Sequence, residues 1–222
     1  MNSVDIAIHL LRKSIELGQK DSNYYMDFIK LHKLMFLCQC YFKYEYGLNM
    51  FEDKITANGD GPYIEGLNFV PAICGFGRIK NIDKLNKYID DTIPLHLGHI
   101  LPLPALRDEI CDLILDIYGK CDTSEIVKIT KNTTAYKYCY SKNNNNVICQ
   151  ELLEKTGEEI SKIIFAKQRQ SLPSSTTNSL KSGSLLAQIT YEQENQEIDS
   201  AINTLNSIHQ EQRANKVKKL IP

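Results

Sequence analysis

Residues 29–67 read IKLHKLMFLCQCYFKYEYGLNMFEDKITANGDGPYIEGL. The stretch joins a long amphipathic helix, a glycine stop, a short extended piece and a Gly-Pro turn in one fixed order. Leu31, Leu34, Met35, Cys38 and Phe42 follow the three-and-four spacing that stacks side chains along one helical face, so that face has to be buried. Lys30, Lys33 and Lys43 project elsewhere, Asp27 is placed to cap the start, and Gly47 supplies the left-handed residue at which such a helix ends. Lys54-Ile55-Thr56-Ala57 alternates polar with apolar over too few residues for more than a short strand or extended arm. In Asn58-Gly59-Asp60-Gly61-Pro62 the glycines open backbone angles closed to other residues, and Pro62 fixes its own φ and holds Gly61 extended. The turn is therefore expected to be rigid and able to present a neighbour such as Tyr63.

Outward from this stretch the reading stays helical. Val4, Ala7, Ile8, Leu11 and Ile15 line one face of a first helix between a Ser3 cap and Gly18, expected to pack on the second. Pro104 suits a first helical position, after which Leu106, Ile110, Leu113, Ile114 and Ile117 repeat the pattern until Gly119. Asp122 with Glu125 forms a capping box for a shorter helix carrying Ile126 and Ile129. Between Gly59 and Pro104, Leu85 to Ile89 reads as a short helix and Ile93 to Leu103 as an extended connection. Asn143 to Asn146 reads as an exposed loop. Val147 to about Gln168 reads as a helix with Leu152, Leu153, Ile160, Ile163 and Ile164 as contacts and Gly157 as a weak point. The Ser/Thr-rich run from Ser171 to Ser184 has the composition of a linker. Beyond it, Leu185, Leu186, Ile189, Ile198, Ala201, Ile202, Leu205 and Ile208 recur at helical spacing. A helix cannot hide such a stripe alone, so the tail packs on its own domain, pairs with a second copy, or lies in a groove of another protein. The expectation is a mainly α protein: a compact helical domain over 1–168 with a short extended or β piece near the Gly-Pro turn, a linker over 169–184 and an amphipathic helical tail over 185–222.

Composition narrows the function classes. A chain of 222 residues with 42% hydrophobic content can fill a sizeable core. A net charge of -1 argues against an electrostatic grip on nucleic acid or an anionic membrane. No apolar run reaches the roughly 18 residues that suggest a membrane span, and in MNSVDIAIHLLRK the basic residues follow the apolar run, opposite to a secretory signal. A cytoplasmic protein is expected. Its seven cysteines lack the spacing of a zinc site or disulfide scaffold, so reduced thiols are expected, with Cys38 in the core. Cys38 and Cys40 turn to opposite sides of their helix and cannot easily chelate one ion.

The search for chemistry returns little. His96 and His99 could point together, but prolines flank them and no third ligand lies nearby in sequence. Gly75-Phe76-Gly77 lacks the last glycine and the flanking elements of a dinucleotide loop and reads as a turn. Asp90-Asp91, Asp108-Glu109 and Glu158-Glu159 are adjacent carboxylates whose side chains diverge. No nucleophile motif surrounds any Ser, Cys or His. Neither enzyme activity nor a cofactor or metal is expected; an enzyme reading would need the fold to bring His96 or His99 beside a carboxylate or Cys in a cleft.

The run KLHKLMFLCQCYFKYEYG followed by GDGPYIEGL resembles the Panacea domain, the SocA-like, phage-associated antitoxin family. Lys30, Leu31, Lys33, Leu34, Phe36, Gln39, Gly47, Ala57, Gly61 and Pro62 fall on that pattern. A second block, Ile117-Tyr118-Gly119-Lys120 with Ser124-Glu125-Ile126 and Ile129-Thr130, resembles the family's Tyr-Gly and Leu-Thr-His element, and the resemblance spans roughly residues 3–165. The chain departs from the pattern at Asn58 and near Tyr136, where Trp is common, at Tyr63 for Val and at Lys131 for His. The resemblance implies an antitoxin that binds a small protein toxin, usually encoded beside it, and keeps it inactive by direct interaction. It also permits an adaptor that delivers a bound protein to a protease, or a general interaction module. The expected partner-facing residues are Lys30, Lys33, Asp60, Gly61, Pro62, Tyr63, Thr130 and Lys131 on the domain, with Ile198, Ile202 and Leu205 on the tail. For Lys30 and Lys33 a solvated helix face remains the competing reading. His32 is placed at the margin of the core, without a catalytic role. The many tyrosines, among them Tyr24, Tyr25, Tyr41, Tyr44 and Tyr46, suit a binding surface or packing.

Overall fold

The computed structural model describes residues 3–92, 105–141 and 146–171. The chain divides into two compact units, Met1–Ile164 and Phe165–Pro222. The described residues form eight α-helices and one small antiparallel hairpin, so the protein is mainly α as its periodicity predicts. The helices are α1 (Ser3–Gly18), α2 (Phe28–Tyr46), α3 (Val70–Cys74), α4 (Asp83–Thr92), α5 (Ala105–Tyr118), α6 (Thr123–Lys131), α7 (Thr134–Ser141) and α8 (Gln150–Ser171). Strands β1 (Ile55–Asn58) and β2 (Gly61–Ile64) lie between α2 and α3. In the second unit the described residues, 165–171, are the last turns of α8.

The first unit is built around α2. Asp27 caps it by accepting from the Lys30 N–H at 2.7 Å, and Gly47 ends it at φ 68°, both as expected. The expectation of one buried face is corrected. Every residue from Lys30 to Phe42 is buried, because α1, α5, α6 and β2 pack around the helix and α8 crosses so close that a Cβ on Gly157 would come within 2.1 Å of the Cys40 carbonyl oxygen. Cys38 and Cys40 are thus both core residues on opposite sides, and all seven cysteines carry thiols.

Burial of α2 on every side forces its polar residues to find partners inside. They find them in the irregular segments wrapped around the helix. Lys30 Nζ donates to the carbonyls of Asn23 at 2.9 Å and Gly119 at 2.6 Å, and Lys33 Nζ donates to the Pro62 carbonyl at 2.8 Å. His32, expected at the margin of the core, is enclosed within it, and its Nδ1 accepts from the Ile64 N–H at 2.9 Å. Gln39 Oε1 accepts from the N–H groups of Met50 at 2.9 Å and Phe51 at 3.2 Å. These are backbone groups that no helix or ladder satisfies, so α2 supplies to its surroundings what regular secondary structure would otherwise provide.

Other elements settle on local causes. The N–H of Ser3 is held by Asp53 Oδ2 at 2.7 Å, so the cap of α1 comes from a loop fifty residues away and Ser3 itself is the first helical residue. Asp122 caps α6 through the Glu125 N–H at 2.7 Å. Helix α8 starts at Gln150; Val147 instead bridges to Thr56, and the adjacent Ala57 N–H and Ile148 N–H bonds cover the outer edge of β1. The helix α7, with the Thr134 N–H held by Glu159 of α8 at 3.2 Å, had no sequence expectation. The connection 93–103, the two histidines in it, residues 142–145 and the tail lie outside the described residues. No described helix is long and apolar enough to cross a membrane.

Candidate functional site

The hairpin pairs Ile55 with Ile64, Thr56 with Tyr63, Ala57 with Pro62 and Asn58 with Gly61, leaving Gly59 and Asp60 as a two-residue turn. Gly61 has φ 99°, and a Cβ there would lie 2.9 Å from Lys33 Cε, so only glycine fits between the turn and α2. Three side chains from three helices hold three successive parts of the turn by their carbonyls. Tyr136 Oη of α7 donates to Asn58 O at 2.8 Å, Lys131 Nζ of α6 to Gly59 O at 2.8 Å, and Lys33 Nζ of α2 to Pro62 O at 2.8 Å. A turn bound in this way keeps one conformation.

Electrostatics follow from burial. Loss of solvent lowers Lys33 to about 8, opposed in part by the nearby Asp60 carboxylate and assisted by Lys131. Burial, aided by Lys33, lowers His32 to about 3, so the imidazole is neutral at ordinary pH. With Nδ1 accepting from Ile64, the proton sits on Nε2, which is buried without a hydrogen-bond partner among the described residues. The ring stacks on Tyr63 at 4.4 Å and meets Phe28 edge-on at 4.4 Å. Phe76, which is 75% exposed, reaches the same aromatic cluster through Phe28.

Beside the turn lies an open groove of about 660 Å³. It is lined by a face of α6, with Ser124, Val127, Lys128 and Lys131 at helical spacing, and by Ile29 and Asp60. The two blocks of sequence that carry the family resemblance meet here. Thr123 at the head of α6 donates to Asp27 Oδ2 at 2.5 Å, Lys30 reaches Gly119, and Lys131 reaches Gly59.

No family model matches the chain, and no curated protein or solved structure is detectably similar to it. The Panacea resemblance therefore rests on the residues quoted above.

Of the expected partner-facing residues, Asp60 is exposed and Tyr63 and Lys131 are half-buried around the turn. Lys30, Lys33, Gly61, Pro62 and Thr130 are buried, which corrects both the partner-facing and the solvated-face readings of the two lysines. Thr130 Oγ1 donates within its own helix, to Ile126 O at 3.0 Å. Of these, Lys33 holds the hairpin at Pro62, and Lys30 holds the carbonyls of Asn23 and Gly119; Asp60, Tyr63 and Lys131 are the ones with exposed surface at the turn. Ile198, Ile202 and Leu205 lie outside the described residues. The turn-holding role of Tyr136 and the outward face of α6 escaped the sequence reading, although Ser124, Val127, Lys128 and Lys131 share the three-and-four spacing that could have revealed that face.

A second polar cluster joins α1 to α5. His9 Nε2 lies 2.6 Å from Asp108 Oδ1, and Lys13 Nζ lies 3.0 Å from Asp112 Oδ2 and 3.6 Å from Asp108 Oδ1. Ligand-type atoms of His9, Asp108 and Asp112 fall within 4.8 Å of one another, but Lys13 already supplies the cation there. This cluster acts as a clasp between helices.

Proposed function

We propose that the protein works by binding, as an antitoxin-like module that covers a small protein toxin encoded beside it and holds it inactive. The observation that carries this reading is the turn at Gly59 and Asp60, where the carbonyls of Asn58, Gly59 and Pro62 are gripped from α7, α6 and α2 while Asp60 is exposed and Tyr63 and Lys131 stay half-exposed beside it. A surface fixed before its partner arrives loses little conformational freedom on binding, and that raises affinity without further contacts. The same turn and the helices that grip it contain most of the positions on which the Panacea resemblance rests, so the resemblance and the geometry single out one region. Neutralisation then needs only coverage of the toxin's working surface, and no cofactor takes part.

The test is co-expression with the product of the adjacent reading frame. That product alone should arrest growth, this chain should relieve the arrest, and the two should elute as a stoichiometric complex. Relief accompanied by protease-dependent loss of the neighbour would point to delivery for degradation instead. Relief of nothing, with no complex, would remove the binding proposal.

A further inference from the structure

We propose that Cys139 of α7 and Cys149 at the head of α8 are a redox pair, an exposed thiol with a buried thiol beside it, which close to a disulfide on exchange with a small disulfide of the glutathione class. The inference stands independently of the binding reading above.

Geometry singles out this pair among the seven thiols. Cys139 is 7% exposed in the last turn of α7, and its Sγ donates to the Val147 carbonyl at 3.4 Å. Burial pushes the Cys139 thiol up, the neighbouring Cys149 sulfur adds to that, and a hydrogen bond from the Cys149 N–H opposes it. The buried sulfur is thus held against the backbone of residues 147 and 149. One bond separates that N–H from the Cα bearing the second sulfur, so the two meet by rotation of the Cys149 side chain rather than by movement of backbone. Cys149 is exposed, and its carbonyl accepts from the Leu153 N–H at 3.2 Å, which fixes its main chain and leaves its sulfur within reach of solutes. The Glu151 carboxylate, held below the usual range by its own N–H and by the Cys149 thiol, gives up that second bond when the link forms. Cys38 and Cys111 are also in contact, but they are enclosed on α2 and α5, where a solute does not arrive.

The chemistry balances without a further co-reactant. The Cys149 thiolate attacks one sulfur of the small disulfide, a thiolate leaves, and a mixed disulfide remains. Cys139 then loses its proton to solvent and attacks the Cys149 sulfur, expelling the second thiolate. Two protein thiols are oxidised and one disulfide is reduced to two thiols. Because Cys139 is already in place, the second step is intramolecular. The link joins the two pieces of chain that flank the hairpin. One is α7, whose Tyr136 holds the Asn58 carbonyl; the other is the segment whose Val147 and Ile148 pair with β1.

The experiment incubates the full chain with reduced and oxidised glutathione in varied ratio, alkylates free thiols in urea, and digests with trypsin. Cleavage after Lys137, Lys142 and Lys155 puts the two cysteines on separate peptides. Excess oxidised glutathione is expected to join peptides 138–142 and 143–155 in most of the chain, dithiothreitol to part them, and Cys38 and Cys111 to remain alkylated thiols. The linked chain should melt roughly 5 °C or more above the reduced one, because the link closes a loop in the unfolded state. Cys139→Ser should stop at a mixed disulfide on Cys149. Cys149→Ser, at an exposed site where folding is not at stake, should show neither the link nor the rise in Tm. A mixed disulfide that persists on Cys149 of the wild type, a link that forms only in urea, or a link that leaves Tm unchanged or lower would each overturn the pairing.

Discussion

Lys33 shows how one buried charge ties the helix to the turn. Its side chain is enclosed, the residue being 2% exposed, and its ammonium donates to the Pro62 carbonyl, while burial brings its pKa down from 10.5 to about 8. Between those two values the unfolded chain still holds a proton that the folded chain has released. The unfolded state then binds more protons, so this residue's contribution to stability rises with pH across the window and its penalty is fully present below pH 8. One pKa unit corresponds to about 1.4 kcal/mol, so the rise is about 2 kcal/mol between roughly pH 8 and 10. Other groups act oppositely in alkali: Cys40, held protonated by burial, and Cys111, held protonated by its hydrogen bond with the Cys38 thiol and then by burial, favour the unfolded chain once free thiols ionise, as does Tyr118, raised to about 12 by burial. They act alike in the wild type and in Lys33→Met, so the difference isolates the lysine. Urea midpoints at about pH 7.5, 8.5 and 9.5 should show the wild type gaining on Lys33→Met by roughly that amount. A constant gap across the three would mean that Lys33 titrates normally and is not enclosed as described.

At the scale of elements, Gly157 separates propensity from packing. Inside an exposed helix a glycine-to-alanine change stabilises by about 1 kcal/mol. Here the alanine Cβ would stand 2.1 Å from the Cys40 carbonyl oxygen and 2.5 Å from Tyr44 Cβ, both belonging to α2. Backbone cannot yield as a side-chain tip can, so α8 would have to lift from α2. Gly157→Ala is expected to lower stability by roughly 2 kcal/mol, within the range for overpacked sites, and a Tm above that of the wild type would show that the helices are not in such contact. The residue that sequence marks as a weak point of α8 is thus a point of close attachment to α2. Sequence did disclose the helices whose signals are local, because a cap or an apolar stripe acts within a few residues: Asp27 and Gly47 on α2, Asp122 on α6, and the stripe of α5. It misplaced the cap of α1, which Asp53 provides from a distant loop, and missed α7, whose N-terminus is held by Glu159. Satisfaction that comes from elsewhere in the chain leaves no local pattern to read.

For the whole molecule the decisive fact is that α2 has no solvated face over its middle turns. Periodicity marks Leu31, Leu34, Met35, Cys38 and Phe42 as buried, but Lys30, His32, Lys33 and Gln39 interrupt the apolar pattern and make the helix look two-sided. Their partners are carbonyls and N–H groups of loops that sequence cannot bring to the helix, and the same gap explains the site. Asp60 and Tyr63 could be picked out because they adjoin a legible Gly-Pro turn, whereas the α6 wall of the groove becomes visible only once Lys131 is seen to reach Gly59. The arrangement has a consequence for dynamics. Exposing the amides of α2 requires α1, α5, α6 and the hairpin to separate from it together, so no partial opening can do so. Amide hydrogens from Leu34 to Phe42 should exchange only through global unfolding, with a free energy equal to that from denaturant melts and a matching dependence on urea. By contrast, α4 packs chiefly on the short α3 and Leu85 is buried within it, and its amides should exchange several kcal/mol more easily and with little urea dependence. If α2 exchanged as readily as α4, the molecule would not be organised around that helix, and the turn would lose the fixed post from which Lys33 holds it.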